Sequence, residues 1–223
     1  MSINVAIDGP AGAGKSTLAR AAAKELGFIY VDTGALYRSV AYYAIKNNTD
    51  PHDSENVVPF LKNIRPELKY IGGEQHVFLN GEDVSGFIRT PEVSMGASAV
   101  SAIPAVRAFL FDLQKNIAAE NNIIMDGRDI GTVVLPNADV KIYLTASAEV
   151  RADRRYKELA EKGMSPVYDE VLEDIKQRDY NDMHRDIAPL KQADDAVLLD
   201  TSSDSPERAL ERLIGIIKNK ANI

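Results

Sequence analysis

Short apolar runs recur along the chain at Ile3–Ile7, Phe28–Val31, Ile123–Met125, Val140–Leu144 and Ala196–Leu199, and longer segments with helical spacing lie between them. That alternation predicts βαβ units around a parallel sheet covered on both faces. The first helix is expected to begin near Gly14, to bury Leu18, Ala22 and Leu26 at i, i+4 and i+8, and to stop at Gly27. Ser147 reads as the N-cap of another helix, with Glu149 in its first turn; Ser165-Pro166 and Ser205-Pro206 each read as an N-cap followed by proline at the first helical position. The last helix carries Leu210, Leu213, Ile214 and Ile217 at i, i+3, i+4 and i+7, a stripe that faces a core. One stretch breaks the alternation: "LKYIGGEQHVFL", Leu68 to Leu79, reads as two strands around Gly72-Gly73, so residues 62–89 are expected to form an insertion beside the parallel core.

Where the first strand meets the first helix stands "GPAGAGKST", which satisfies G-x-x-x-x-G-K-[ST] through Gly9, Gly14, Lys15 and Ser16. Chance would produce those four positions in roughly one chain of this size in a hundred, before the strand and helix context is counted. The residue types suit a phosphate. Glycines let the loop from Gly9 through Pro10, Ala11, Gly12, Ala13 and Gly14 curl its backbone N–H groups round an anion. The helix start adds its partial positive charge, Lys15 reaches the terminal phosphates, and Ser16, with Thr17 as its rival, offers a hydroxyl to Mg²⁺. A nucleoside triphosphate such as ATP, with Mg²⁺, is the expected ligand.

Composition narrows the uses of that ligand. The net charge of the 223-residue chain is -7, from 26 Lys+Arg against 33 Asp+Glu, which is wrong for a nucleic-acid scaffold, so an anionic substrate must be held by local clusters of positive charge. Cysteine is absent, which removes disulfides, thiolate nucleophiles and cysteine-held zinc, and the three histidines have no metal-ligand spacing. Nothing near the N-terminus resembles a secretion signal or a membrane span; a cytoplasmic monomer with no membrane or nucleic-acid partner is expected.

Two classes compete for the triphosphate: a phosphotransferase and a nucleotide-operated switch. The switch is weakened because the only Asn-Lys pair, Asn219-Lys220, is followed by Ala221-Asn222 and not by the guanine-reading pattern. Arg151, Arg154 and Arg155, at i, i+3 and i+4 on a helix that begins after "VKIYLTA", suit a lid over residues 147–163 that closes on the phosphates. A solvated basic helix face is the plainer account of the same spacing.

Acceptor candidates lie at the other strand ends. "VDTGALYR" places Thr33 at a helix start and Arg38 about a turn inside it. "IIMDGRDIG" ends an apolar run with Asp126, Arg128 and Asp129, and an acid in the place of Asp126 suits a Mg²⁺-associated carboxylate. If "QRDYNDMHRD" is helical, Arg178, Asp182 and Arg185 share a face, a spacing that surface ion pairs also explain. "SAVSAIPAVR" sets Ser98 and Arg107 on two helices around Pro104.

Together, "GPAGAGKST", "VDTGALYR", "NGEDVSGFIRT", "DGRDIGTVV" and "RDYNDMHRDIAPL", in that order over nearly the whole chain, resemble the bacterial cytidylate kinase family. The resemblance implies an α/β nucleoside monophosphate kinase fold. Its parts would be a five-stranded parallel sheet flanked by helices (core 1–61, 90–146 and 164–223), a β-containing NMP-binding insertion (62–89) and a short lid (147–163). It also implies transfer of the ATP γ-phosphate to CMP or dCMP. Carried over by position, acceptor-phosphate contacts fall on Thr33, Arg38, Arg128 and Arg185, cytosine contacts on Ser98, Arg107 and Asp129, and ribose contacts on Arg178 and Asp182. Position 33 is Thr where some members have Ser, and position 16 is Ser where some have Gly. Independently of the name, a carboxylate at Asp129 would accept from the 4-amino group of cytosine and repel the 4-carbonyl of uracil. A small P-loop kinase acting on another monophosphate or a small alcohol remains the alternative enzyme.

Overall fold

The computed structural model describes residues 2–72 and 74–223, in two compact units: the described residues of 2–30 with 121–223, and those of 31–120. The main sheet has five strands in the order β2-β6-β1-β7-β8, formed by β1 (Asn4–Asp8), β2 (Ile29–Asp32), β6 (Ile123–Gly127), β7 (Val140–Thr145) and β8 (Val197–Asp200). These are the five runs read from the sequence. Parallel registers pair Ile7 with Asp126 and with Ile142, and Leu144 with Leu199. Val5, Ala6, Ile7, Ile123, Ile124 and Met125 are fully buried, as central strands covered on both faces require.

In the first unit, α1 (Lys15–Leu26) and α8 (Pro206–Ala221) bury Leu18, Ala22, Leu213 and Ile217 with the sheet. Each buried leucine or isoleucine among them contributes about 1.5–3 kcal/mol to stability. Gly14 caps α1 at φ 90 and Gly27 ends it at φ 70, both in the left-handed region that glycine enters without strain. α6 (Ala148–Glu161), capped by Ser147, packs on α7 (Tyr168–His184) through Ala152, Val171 and Ile175.

α7 does not start on Ser165-Pro166: after Gly163 turns the chain at φ 78, no regular element forms until Tyr168, and Val167 before it is extended (φ -99, ψ 124) and supplies no side-chain cap. Asp169 and Glu170 in the first turn supply the negative charge that favours an N-terminus. Arg185 does not continue the helical face of Arg178 and Asp182, because α7 ends at His184 and Arg185 is extended (φ -68, ψ 143).

In the second unit, the expected hairpin is β3 (Pro66–Ile71) against β4 (Glu74–Leu79), with a short third strand, β5 (Glu82–Asp83). Gly72 turns at φ 62, and Gly73 lies outside the described residues. One apolar cluster joins Val77, Leu79 and Val84 to Leu36 and Val40 of α2 (Thr33–Lys46), Val93 and Val100 of α4 (Pro91–Ser101) and Leu110 of α5 (Pro104–Glu120). A short α3 (Ser54–Phe60) contributes Val57 to it. No single described helix is long and apolar enough to cross a membrane. The successive α4 and α5, bent by 97°, pass that test only as a pair, and their Val93, Val100, Val106 and Leu110 are buried.

Candidate functional site

The loop between β1 and α1 is built around its glycines. Gly9 has φ 149, and a Cβ there would overlap the Leu144 carbonyl oxygen of the neighbouring strand. Only glycine lets β1 leave the sheet at this point. Lys15 is buried, and its Nζ donates to the carbonyls of Gly9 (2.7 Å) and Pro10 (2.8 Å), which holds the ammonium inside the loop. Burial pushes its pKa down to about 7, helped by the like charge of Arg128, while Asp126, Asp8 and Asp182 pull the other way.

Ser16 Oγ donates to Asp126 Oδ2 at 2.8 Å, and Tyr30 Oη donates to Asp126 Oδ1 at 2.9 Å. Thr17 is exposed. A hydroxyl and a carboxylate in contact beside a phosphate-binding loop are hard oxygen donors of the kind Mg²⁺ takes alongside nucleotide phosphates and water. Among the described residues, no group of three or more His, Cys, Asp or Glu could hold a metal by itself, so the donor set fits an ion shared with a nucleotide.

The three arginines of α6 differ from one another. Arg151 is buried and forked onto Asp179 of α7 (2.9 and 2.6 Å); it also donates to the carbonyls of Ala11 (3.1 Å) and Ala146 (2.9 Å). Arg154 donates to the carbonyls of Ala13 (3.3 Å) and Thr201 (3.1 Å), while Arg155 sits on Glu158 of its own helix. Two of them therefore grip the loop through its carbonyls, and Gly12 lies 3.5 Å from Arg151 Cβ if given a Cβ of its own.

Beyond β6, Arg128 Nε donates to Asp182 Oδ2 at 2.8 Å, and Arg185 Nη2 lies 3.4 Å from Asp129 Oδ1. Burial opposes both charges of the first pair, but attraction prevails: Arg128 is raised and Asp182 lowered from their ordinary values. Arg178 adds its charge to Asp182 from one helical turn away. Arg128, Asp129, Asp182 and Arg185 thus form one cluster, drawn from two segments that are remote in sequence.

The second unit holds its own candidates. Asp32 caps α2 by accepting from Ala35 N (3.0 Å) and also receives Arg38 Nη2 (2.7 Å), beside the buried Thr33. Gly34 makes room: a Cβ there would stand 2.9 Å from Arg38 Nη1. Arg38 Nε is buried with no protein partner. Ser98 and Arg107 meet around Ser101, whose Oγ donates to the Ser98 carbonyl (2.8 Å) and whose carbonyl accepts from Arg107 Nη1 (3.3 Å); Arg107 also lies over the Tyr37 ring at 5.8 Å.

Sequence reading missed Asp8, Asp179 and Tyr30. Asp8 carried the signal used for Asp126, an acid that ends a buried apolar strand. Asp179 and Tyr30 carried none, since their partners lie 28 and 96 residues away.

The family model for cytidylate kinase matches residues 5–219 of this chain. The chain belongs to the cytidylate kinase family. Its relatives in the family include cytidylate kinases of Caldicellulosiruptor bescii, 50% identical over 98% of both chains, and of Carboxydothermus hydrogenoformans, 47% identical over 99% of this chain and 100% of that one. That of Thermosipho melanesiensis is 47% identical over 100% of each. The structure is similar in fold to an uncharacterised protein from Eubacterium ventriosum, with a TM-score of 0.53, 10% identity and coverage of 97% and 99%.

Proposed function

We propose that this protein phosphorylates CMP and dCMP with ATP as donor, and that the residues carried over from the family motifs perform the roles those motifs assign. The observation that carries the reading is the joint presence of a phosphate loop with Lys15 buried inside it and a separate cluster, Arg128, Asp129, Asp182 and Arg185, of the composition an acceptor nucleotide needs. Membership of the cytidylate kinase family supports the choice of acceptor.

In this mechanism the loop of residues 9–17, through its backbone N–H groups other than at Pro10, and Lys15 hold the donor phosphates. Arg151 and Arg154 keep the loop in shape through the Ala11 and Ala13 carbonyls, and Arg154 and Arg155 bring positive charge to the transferred group. Ser16 and Asp126 would hold Mg²⁺, which supplies charge neutralisation at the phosphate oxygens. Thr33, Arg38, Arg128 and Arg185 bind the acceptor phosphate, Ser98, Arg107 and Asp129 read the cytosine, and Arg178 and Asp182 meet the ribose. Positioning and electrostatics suffice, because the attacking oxygen belongs to a phosphate already ionised at neutral pH. A cytoplasmic monomer is proposed with this activity.

A coupled assay of ADP production with CMP, dCMP, UMP, AMP and GMP tests the reading. ADP that depends on CMP and dCMP upholds it. ADP that depends on another acceptor replaces the substrate, and slow hydrolysis indifferent to all five points to a switch.

A further inference from the structure

We propose that Asp8 is a positioning residue for phosphoryl transfer, whose two carboxylate oxygens hold the Arg128–Asp129 segment in place against the phosphate loop. The proposal rests on the assignment of Arg128 to the acceptor phosphate and Asp129 to the base.

Asp8 is the last residue of β1 and directly precedes Gly9, yet its side chain serves another part of the chain. Oδ1 accepts from Ile130 N and Oδ2 from Gly131 N, each at 2.7 Å and each more than 120 residues away. Those amides open a π-helical turn, Ile130–Val134, and the first amides of a helical turn have no partner within it. Asp129 occupies the N-cap position of the turn and makes no side-chain cap; its Oδ1 instead lies 3.4 Å from Arg185. Asp8 thus caps the turn in place of Asp129, whose carboxylate pairs with Arg185 instead.

The fit is close on every side. A Cβ at Gly131 would lie 3.4 Å from Asp8 Oδ2, an ordinary contact, and 3.1 Å from Cδ of the Lys141 side chain, so the backbone here runs close against both side chains. Asp8 itself is 4% exposed. A carboxylate in such a place is unfavourable, and burial pushes its pKa up to about 6 in spite of the two amide bonds and nearby Lys15, with Asp129 adding its repulsion. An apolar strand end would avoid that cost. Asp8 stands where it joins the loop that carries Lys15 to the segment that carries Arg128 and Asp129. Asparagine has the same shape but a single acceptor oxygen, and it would turn an NH₂ group toward one of the two amides.

The experiment compares steady-state kinetics of wild type, Asp8→Asn, Asp8→Ser and Asp129→Asn with ATP against CMP and UMP, beside a thermal melt of each. In folded Asp8→Asn the KM for CMP should rise about tenfold and the CMP-to-UMP ratio of kcat/KM should fall about tenfold, with the KM for ATP within about threefold of wild type. A role in folding alone would lower the melting temperature and leave both acceptor readouts at wild-type values; that result overturns the proposal. Should Asp8→Asn fail to fold, Asp8→Ser, which removes the two-oxygen acceptor without adding an NH₂ group, decides by the same readouts, a shift upholding the proposal and wild-type values overturning it. Asp129→Asn separates the two failures. If it narrows the CMP-to-UMP ratio and Asp8→Asn does not, the positioning role falls alone. If it leaves the ratio unchanged, the base assignment falls, and the KM for CMP in Asp8→Asn still decides the positioning role.

Discussion

Arg128 Nε and Asp182 Oδ2 lie 2.8 Å apart across 54 residues of sequence, so the guanidinium assigned to the acceptor phosphate is oriented by the carboxylate assigned to the ribose. Removing Asp182 therefore does more than delete a sugar contact. In Asp182→Ala, Arg128 loses its partner in a largely buried place and is free to turn away. A loss of about 1–3 kcal/mol in stability is expected from the orphaned charge. The KM for CMP should rise by more than that of a variant lacking one ribose hydrogen bond, about 10²-fold, while the KM for ATP stays within about threefold. Acceptor and donor titrations on the same preparation check this. Equal effects on both would show that the pair supports the fold and not the acceptor.

Lys15 presents the opposite case, a charge whose removal should leave the protein intact. Its ammonium is buried and its pKa is driven down to about 7, so the folded chain gains little from keeping it charged. Lys15→Ala is expected to melt within a few degrees of wild type, about the shift that 1 kcal/mol produces. Its kcat should fall by about 10²–10³-fold or more, the loss typical of removing one preorganised donor from developing charge. Wild-type turnover in a folded Lys15→Ala protein would remove the lysine from the mechanism.

The sequence left Ser16 and Thr17 as rivals for the metal, and the structure separates them by their partners. Ser16 Oγ is on Asp126, itself held by Tyr30, whereas Thr17 is exposed. Ser16→Ala is expected to raise the Mg²⁺ concentration for half-maximal activity about tenfold, with Thr17→Ala near wild type. A magnesium titration at fixed ATP reads both. The reverse order would give the ion to Thr17.

What was legible in the sequence was whatever is written locally. Five strands, the α1 limits at Gly14 and Gly27, the Ser147 and Ser205 caps and the hairpin at Gly72 all depend on residues within a turn of one another. The phosphate loop was legible for the same reason. The pairings inside the site were not. Asp8 with Ile130 and Gly131, Arg151 with Asp179 and Arg128 with Asp182 are products of the sheet order β2-β6-β1-β7-β8, which brings strand ends together that the sequence keeps far apart. The reach of the apolar cluster that joins the hairpin to α2, α4 and α5 was not legible for the same reason, since its members are scattered over residues 35–110.

Asp8 also sets a pH dependence of stability whose sign opposes that of Asp182. Burial raises the Asp8 pKa from 3.8 to about 6, with the charge of Asp129 adding to the rise and Lys15 and the Ile130 and Gly131 amides countering it. Between those values the folded chain keeps a proton that the unfolded chain has released. Stability from this group is therefore present in full below about pH 4 and is lost as the pH rises through about 6, by about 3 kcal/mol for two pKa units. Asp182, lowered by Arg128, behaves in the reverse sense and loses its contribution as the pH falls. Urea unfolding of wild type and Asp8→Asn from pH 4 to 8 isolates the first term, because the other carboxylates cancel in the difference. The wild type should gain on Asp8→Asn as the pH falls from about 7 to about 4, and a difference that stays flat across that range would show that Asp8 titrates as an ordinary carboxyl.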